Sequence, residues 1–121
     1  MDNIFYKKIE QLFKNKQFES IKFEINLLGE EEKKDPYLYN ILGIIAATNK
    51  KNDEAINYFN LAVEIDKYYL HSLINLSRLS YTNKDFQKII TLLKNYHLKF
   101  PENDRVILNL ADLCFSAGFL E

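Results

Sequence analysis

The chain has no tryptophan, one cysteine, one methionine, three glycines and two prolines in 121 residues. Its lone cysteine, Cys114, cannot close an internal disulfide and has no second thiol for a metal site, which fits a reducing compartment and predicts a cytoplasmic protein. With so little glycine and proline, and no short alternating segments bounded by turns, an all-β pattern is excluded and an all-α chain is expected. Nowhere does an apolar run approach about 18 residues, and Met1 to Lys8 lack the basic, apolar and small-residue succession of a secretory leader. Neither membrane spanning nor secretion is expected. Sixteen basic residues face seventeen acidic ones, net charge -1, without a long block of either sign. That leaves no basic footprint for nucleic acid.

Hydrophobic residues make up 47% and charged residues 27%, a globular rather than a disordered composition. The length suits one domain, 1–121. Self-comparison shows a period of 34: Asn15 and Lys16 recur as Asn49 and Lys50, then as Asn83 and Lys84. In that register Ile21, Ala55 and Ile89 form one column, Ile25, Phe59 and Leu93 a second, and Leu28, Ala62 and Tyr96 a third. Apolar residues within each unit recur every three to four positions, as in Ile89, Leu92, Leu93 and Tyr96, which predicts two amphipathic helices per unit. Helices are expected near 2–14, 17–29, 36–48, 52–66, 70–82, 85–99 and 104–117. Asn tolerates left-handed backbone, so the recurrent Asn is expected to stop the first helix of each pair, while Pro36 and Pro101 punctuate the boundaries between pairs.

The second unit, Pro36 to Tyr69, resembles the tetratricopeptide pattern W-x2-L-G-x2-Y, A-x3-F, P. Tyr39 takes the Trp place, Leu42 and Gly43 the Leu-Gly pair, and Ala55 with Phe59 the Ala-x3-Phe element, followed by Ala62. Ala46 and Lys67 depart from it, standing where Tyr and Pro are usual. The third unit matches by class through Leu73, Leu76, Ser77, Phe86, Ile89, Leu93 and Pro101; the first diverges most, with Lys8 and Ile9 in place of Leu-Gly. The resemblance implies a right-handed α-α superhelix, a solenoid of repeats 2–35, 36–69, 70–103 and a partial fourth at 104–121: three helix pairs and one further helix. Small Gly43, Ala55 and Ala62 would let paired helices approach, and Tyr39, Leu42 and Phe59 would fill the space between pairs.

In this family the first helices of successive repeats line a concave groove that grips a segment of a partner protein. By resemblance the groove positions include Tyr6, Glu10, Phe13, Tyr37, Asn40, Ile44, His71, Arg78 and Tyr81. Aromatics there offer contact area at low entropic cost, although helical faces turned to neighbours are apolar in any case. One branch of the family clamps a partner's C-terminal carboxylate with Lys, Asn and Arg side chains; Tyr6, Glu10 and Tyr37 to Ile44 do not reproduce that set. The expected function is a protein-interaction scaffold, not an enzyme, taking a protein or peptide partner and no cofactor.

Residues with chemical potential are scattered. His71 and His97 lie 26 positions apart with no carboxylate-histidine spacing for a metal. Cys114 falls at the packing position of Ala46 and Ser80, and Glu30 to Glu32 beside Lys33 and Lys34 read as a solvated turn. At the C-terminal end Leu110, Leu113, Phe115 and Phe119 give an apolar helix with no partner helix to cover it. That predicts either a piece of a longer array, the non-catalytic part of an enzyme or regulator, or a self-association surface making a homodimer or an extended array.

Overall fold

The structure, a computed structural model, describes residues 3–79 and 86–103. These form α1 (Asn3–Lys14), α2 (Phe18–Asn26), α3 (Glu30–Lys33), α4 (Pro36–Thr48), α5 (Asn52–Ile65), α6 (Leu70–Leu79) and α7 (Phe86–Lys99), with no strand among the described residues. The expected helix at 104–117 lies outside them. No helix among the described residues is long and apolar enough to cross a membrane.

Helix ends follow local chemistry. At α1 the Gln17 N–H donates to the Leu12 carbonyl (2.9 Å) and the Lys16 N–H to Phe13 (3.0 Å), the paired bonds of a Schellman cap. The same pair closes α4, from Lys51 to Ala46 (2.9 Å) and Lys50 to Ala47 (3.0 Å), every residue 34 positions further on. The left-handed residue in each is lysine, Lys16 at φ 57° and Lys50 at φ 62°, whereas Asn49 stays at φ -87°. The expected stop is therefore one residue later in conformation: Asn49 is the last half-helical residue, and the lysine carries the reversal.

Helix α4 begins on Asp35, whose Oδ1 accepts from the Tyr37 N–H at 2.8 Å, with Pro36 in the first turn where a missing N–H costs nothing. Between α2 and α4 the chain departs from the expected solvated turn. Helix α2 ends at Asn26, and the four-residue α3 follows, started by extended Gly29, whose N–H donates to Glu32 Oε1 at 3.3 Å.

Two apolar clusters organise the packing. Ile9, Ile21, Ile25, Leu38, Ile41 and Ile45 join α1, α2 and α4; Ala46, Ala55, Ile56, Phe59, Val63, Leu73, Leu76, Ile89, Ile90, Leu93 and Tyr96 join α4 to α5, α6 and α7. Burying each large side chain contributes about 1.5–3 kcal/mol. Because α4 feeds both clusters it is apolar nearly all round, as a helix covered on several sides must be. The columns Ile21, Ala55, Ile89 and Ile25, Phe59, Leu93 are buried throughout, while Leu28, beyond the end of α2, is only half-buried.

At Gly43 the Phe59 side chain of α5 packs closely against α4. A Cβ there would lie 2.4 Å from the Phe59 ring, and Phe59 is 1% exposed. Phe59 thus fills the space beside the small residue within a helix pair as well as reaching the next pair through the second cluster. Among the described residues ion pairs are peripheral: Lys8 to Glu24 (2.8 Å) links α1 to α2, and the others are one-turn surface pairs of small value.

Candidate functional site

Helices α4 and α6 touch directly, and α1 reaches the start of α4 through Tyr6, so these three helices adjoin along α4. At one end of it Asp35 binds two elements at once. While its Oδ1 caps α4, its Oδ2 accepts the hydroxyl of Tyr6 from α1. The Tyr6 ring meets Tyr37 edge-on, centroids 5.4 Å apart at 86°. Tyr69, just before α6, lies within the field of Asp35 and Tyr37, and its ring is 5.7 Å from that of His71.

This end is therefore a rim of three half-buried phenols around one carboxylate. The hydrogen bond to Asp35 pushes the Tyr6 hydroxyl up to about 12, aided by burial and the Asp35 charge. Burial, then the charge of Asp35, raises Tyr69 to about 12, and burial, then Glu10 and Asp35, raises Tyr37. All three stay neutral donors at ordinary pH. Asp35 has no ion-pair partner among the described residues; exposed Glu10 pairs with Lys14 at 3.2 Å.

Midway along α4, Asn40 is 6% exposed, and its Oδ1 accepts from Ser72 Oγ (2.8 Å) and Asn75 Nδ2 (3.0 Å). The expected groove contact is instead a buried polar tie between α4 and α6, because turning it outward would strand two donors on α6. Beyond it, Ile44, Ala47, Thr48, Asn75, Arg78 and Leu79 line a shallow depression floored by Phe59. Arg78 and His71 are exposed, Ile44 is half-buried.

Of the expected groove residues, the structure gathers Tyr6 and Tyr37 at the rim, with exposed Glu10 within the field of Tyr37, and places Ile44 and Arg78 in the depression. Phe13 turns toward α2, its ring 5.9 Å from Phe18, and packs on the first apolar cluster. Tyr81 lies outside the described residues, as do Leu110, Leu113, Phe115 and Phe119 of the expected self-association surface.

Sequence reasoning overlooked Asp35, Tyr69 and Asn75. Asp35 immediately precedes a Pro-led helix, a capping signature that marks it as structural without revealing its second bond to Tyr6. Tyr69 sits in the connection before α6, off the helical positions that the resemblance points to. Among the described residues no three His, Cys, Asp or Glu side chains are grouped to hold a metal. What these helices offer is phenols, carboxylates, a guanidinium and an apolar depression, a set suited to non-covalent recognition. No family model matches the chain, and no curated protein matches it.

Proposed function

We propose that the chain is a tetratricopeptide-type interaction scaffold that holds a peptide or helical segment of a partner protein along the face of α1, α4 and α6, without turnover. The observation that carries this reading is that face itself. Half-buried Tyr6, Tyr37, Tyr69 and Ile44 stand beside exposed Arg78 and His71 along neighbouring first-of-pair helices, an apolar strip edged by polar groups. Support for the repeat architecture comes from the Schellman cap that recurs after 34 residues, from the buried 34-residue columns and from the fit of Phe59 on Gly43. Contacts dominated by helices adjacent along the chain also suit a linear array.

Selection of random dodecapeptides on the immobilised chain tests it. Bound peptides should lose affinity roughly tenfold with Arg78→Ala, an exposed change that leaves the fold intact, a loss on the scale of one interface hot spot. Peptides that bind equally well to Arg78→Ala and to Ile44→Asp would place the binding surface elsewhere.

A further inference from the structure

We propose that the tyrosine rim receives a lysine or arginine side chain of the partner segment, with Asp35 as its counter-charge. This rests on the groove reading above and specifies what the groove selects.

Three observations converge. First, the Asp35 carboxylate is half-buried and fixed by two hydrogen bonds, from Tyr6 and from the Tyr37 N–H, yet no cation pairs with it among the described residues. A carboxylate has about four lone-pair sites, so acceptor capacity remains for a charged donor. Second, the surroundings carry the same sign. Tyr6, Glu31, Glu32, Lys34, Asp35 and Pro36 line a depression at this end, three carboxylates against one ammonium, and Lys34 is drawn off by Glu31 at 3.3 Å. Third, the Tyr6 hydroxyl sits on Asp35 and the Tyr6 ring meets that of Tyr37, so neutral aromatic groups adjoin the carboxylate, a combination that attracts ammonium and guanidinium groups.

The far end of the face has the opposite character. Arg78 is exposed at the second depression with no ion-pair partner among the described residues. Helix α4 has 13 residues and is therefore roughly 20 Å long, about two Debye lengths at physiological salt, so the two ends act as separate local fields. A segment lying along α4 is consequently oriented: its basic residue is repelled at Arg78 and accepted at the rim.

The test uses the full chain and random dodecapeptides. Selected peptides should be enriched in Lys or Arg at one position, and replacing that residue with Gln should weaken binding roughly tenfold or more, the scale of one paired charge. Asp35→Asn keeps a side-chain oxygen for the Tyr37 N–H but removes the charge, and should weaken the same peptides to a similar degree with little change in thermal unfolding. Should that variant fold poorly, the exposed double change Glu31→Gln with Glu32→Gln supplies the same readout at smaller amplitude. Peptides that bind and are lost with Arg78→Ala, yet show no basic enrichment or ignore both sets of charge removal, would overturn the rim assignment and leave the groove standing. If no peptide binds, the groove reading fails and this assignment with it.

Discussion

At the scale of single residues, Gly43 separates two effects that usually run together. Glycine inside a helix costs about 1 kcal/mol relative to alanine, so Gly43→Ala should stabilise α4 on propensity alone. The new Cβ would meet three Phe59 ring atoms at 2.4, 2.6 and 2.8 Å, and that ring is enclosed by the second apolar cluster. Overpacking of this kind costs typically about 1–3 kcal/mol, and with no flexible end to swing aside the steric term should win. Gly43→Ala is therefore expected to lower urea-unfolding stability by up to about 2 kcal/mol. Combining it with Phe59→Leu should cost less than the two changes added, since the trimmed ring removes the clash. Simple additivity would show that the α4–α5 approach is looser than these distances require. The sequence pattern marked Gly43 for a close helix approach but assigned Phe59 to the space between pairs, so the ring that meets Gly43 was not legible in it. Asn40 was legible only as a polar residue on the same helix. Its burial depends on Ser72 and Asn75, whose placement opposite it is set by how α6 docks on α4.

At the scale of elements, the starts of α1, α2, α4, α5, α6 and α7 lie within a residue of those expected, whereas α3 falls where a solvated turn was expected and helix ends depend on backbone detail. Helix α4 runs over the expected 36–48, and α6 starts at the expected Leu70, because Pro36 with Asp35 and the apolar spacing mark them unambiguously. Helix α2 ends at Asn26, short of the expected 29, since Leu27 and Leu28 continue the apolar pattern past the last helical residue, and α3 depends on a Glu32 side chain bonding back to Gly29. The repeated stop was recognised, but its left-handed position was assigned to asparagine rather than lysine. That distinction can be measured. A non-glycine residue in left-handed backbone costs about 1 kcal/mol, of which the greater freedom of unfolded glycine returns part. Lys50→Gly should raise stability by about 0.5–1 kcal/mol in thermal or urea unfolding. Asn49→Gly, one residue earlier at φ -87°, relieves no strain and should be neutral or destabilising. A larger gain from Asn49→Gly would reassign the cap.

On the scale of the whole molecule, α1, α4 and α6 come together at a rim whose protonation links three parts of the chain to one carboxylate. The expected groove positions named Tyr6 and Tyr37, but their convergence on Asp35, with Tyr69 drawn into the same field, comes from the docking of α1 and the α6 entry against the start of α4. No local pattern encodes such docking. It has a consequence for stability at high pH. In the unfolded chain these tyrosines ionise near 10, whereas in the fold Tyr6 and Tyr69 hold their protons to about 12. Below pH 10 both states are protonated and the full stabilisation is present. Between about 10 and 12 the unfolded chain gives up protons that the fold retains, so unfolding becomes easier as pH rises through this window. Melting temperature should accordingly be insensitive to these groups up to about pH 9 and decline above 10. Tyr6→Phe should flatten part of that decline while lowering stability at neutral pH by about 1 kcal/mol, the net worth of its hydrogen bond to Asp35. Asp35→Asn, its single amide oxygen kept on the Tyr37 N–H, presents an uncharged NH2 donor to the Tyr6 hydroxyl oxygen and should bring its ionisation, followed by ultraviolet tyrosinate absorbance, back toward 10. An alkaline profile identical in all three proteins would mean that the Tyr6–Asp35 link does not join α1 to α4 in solution.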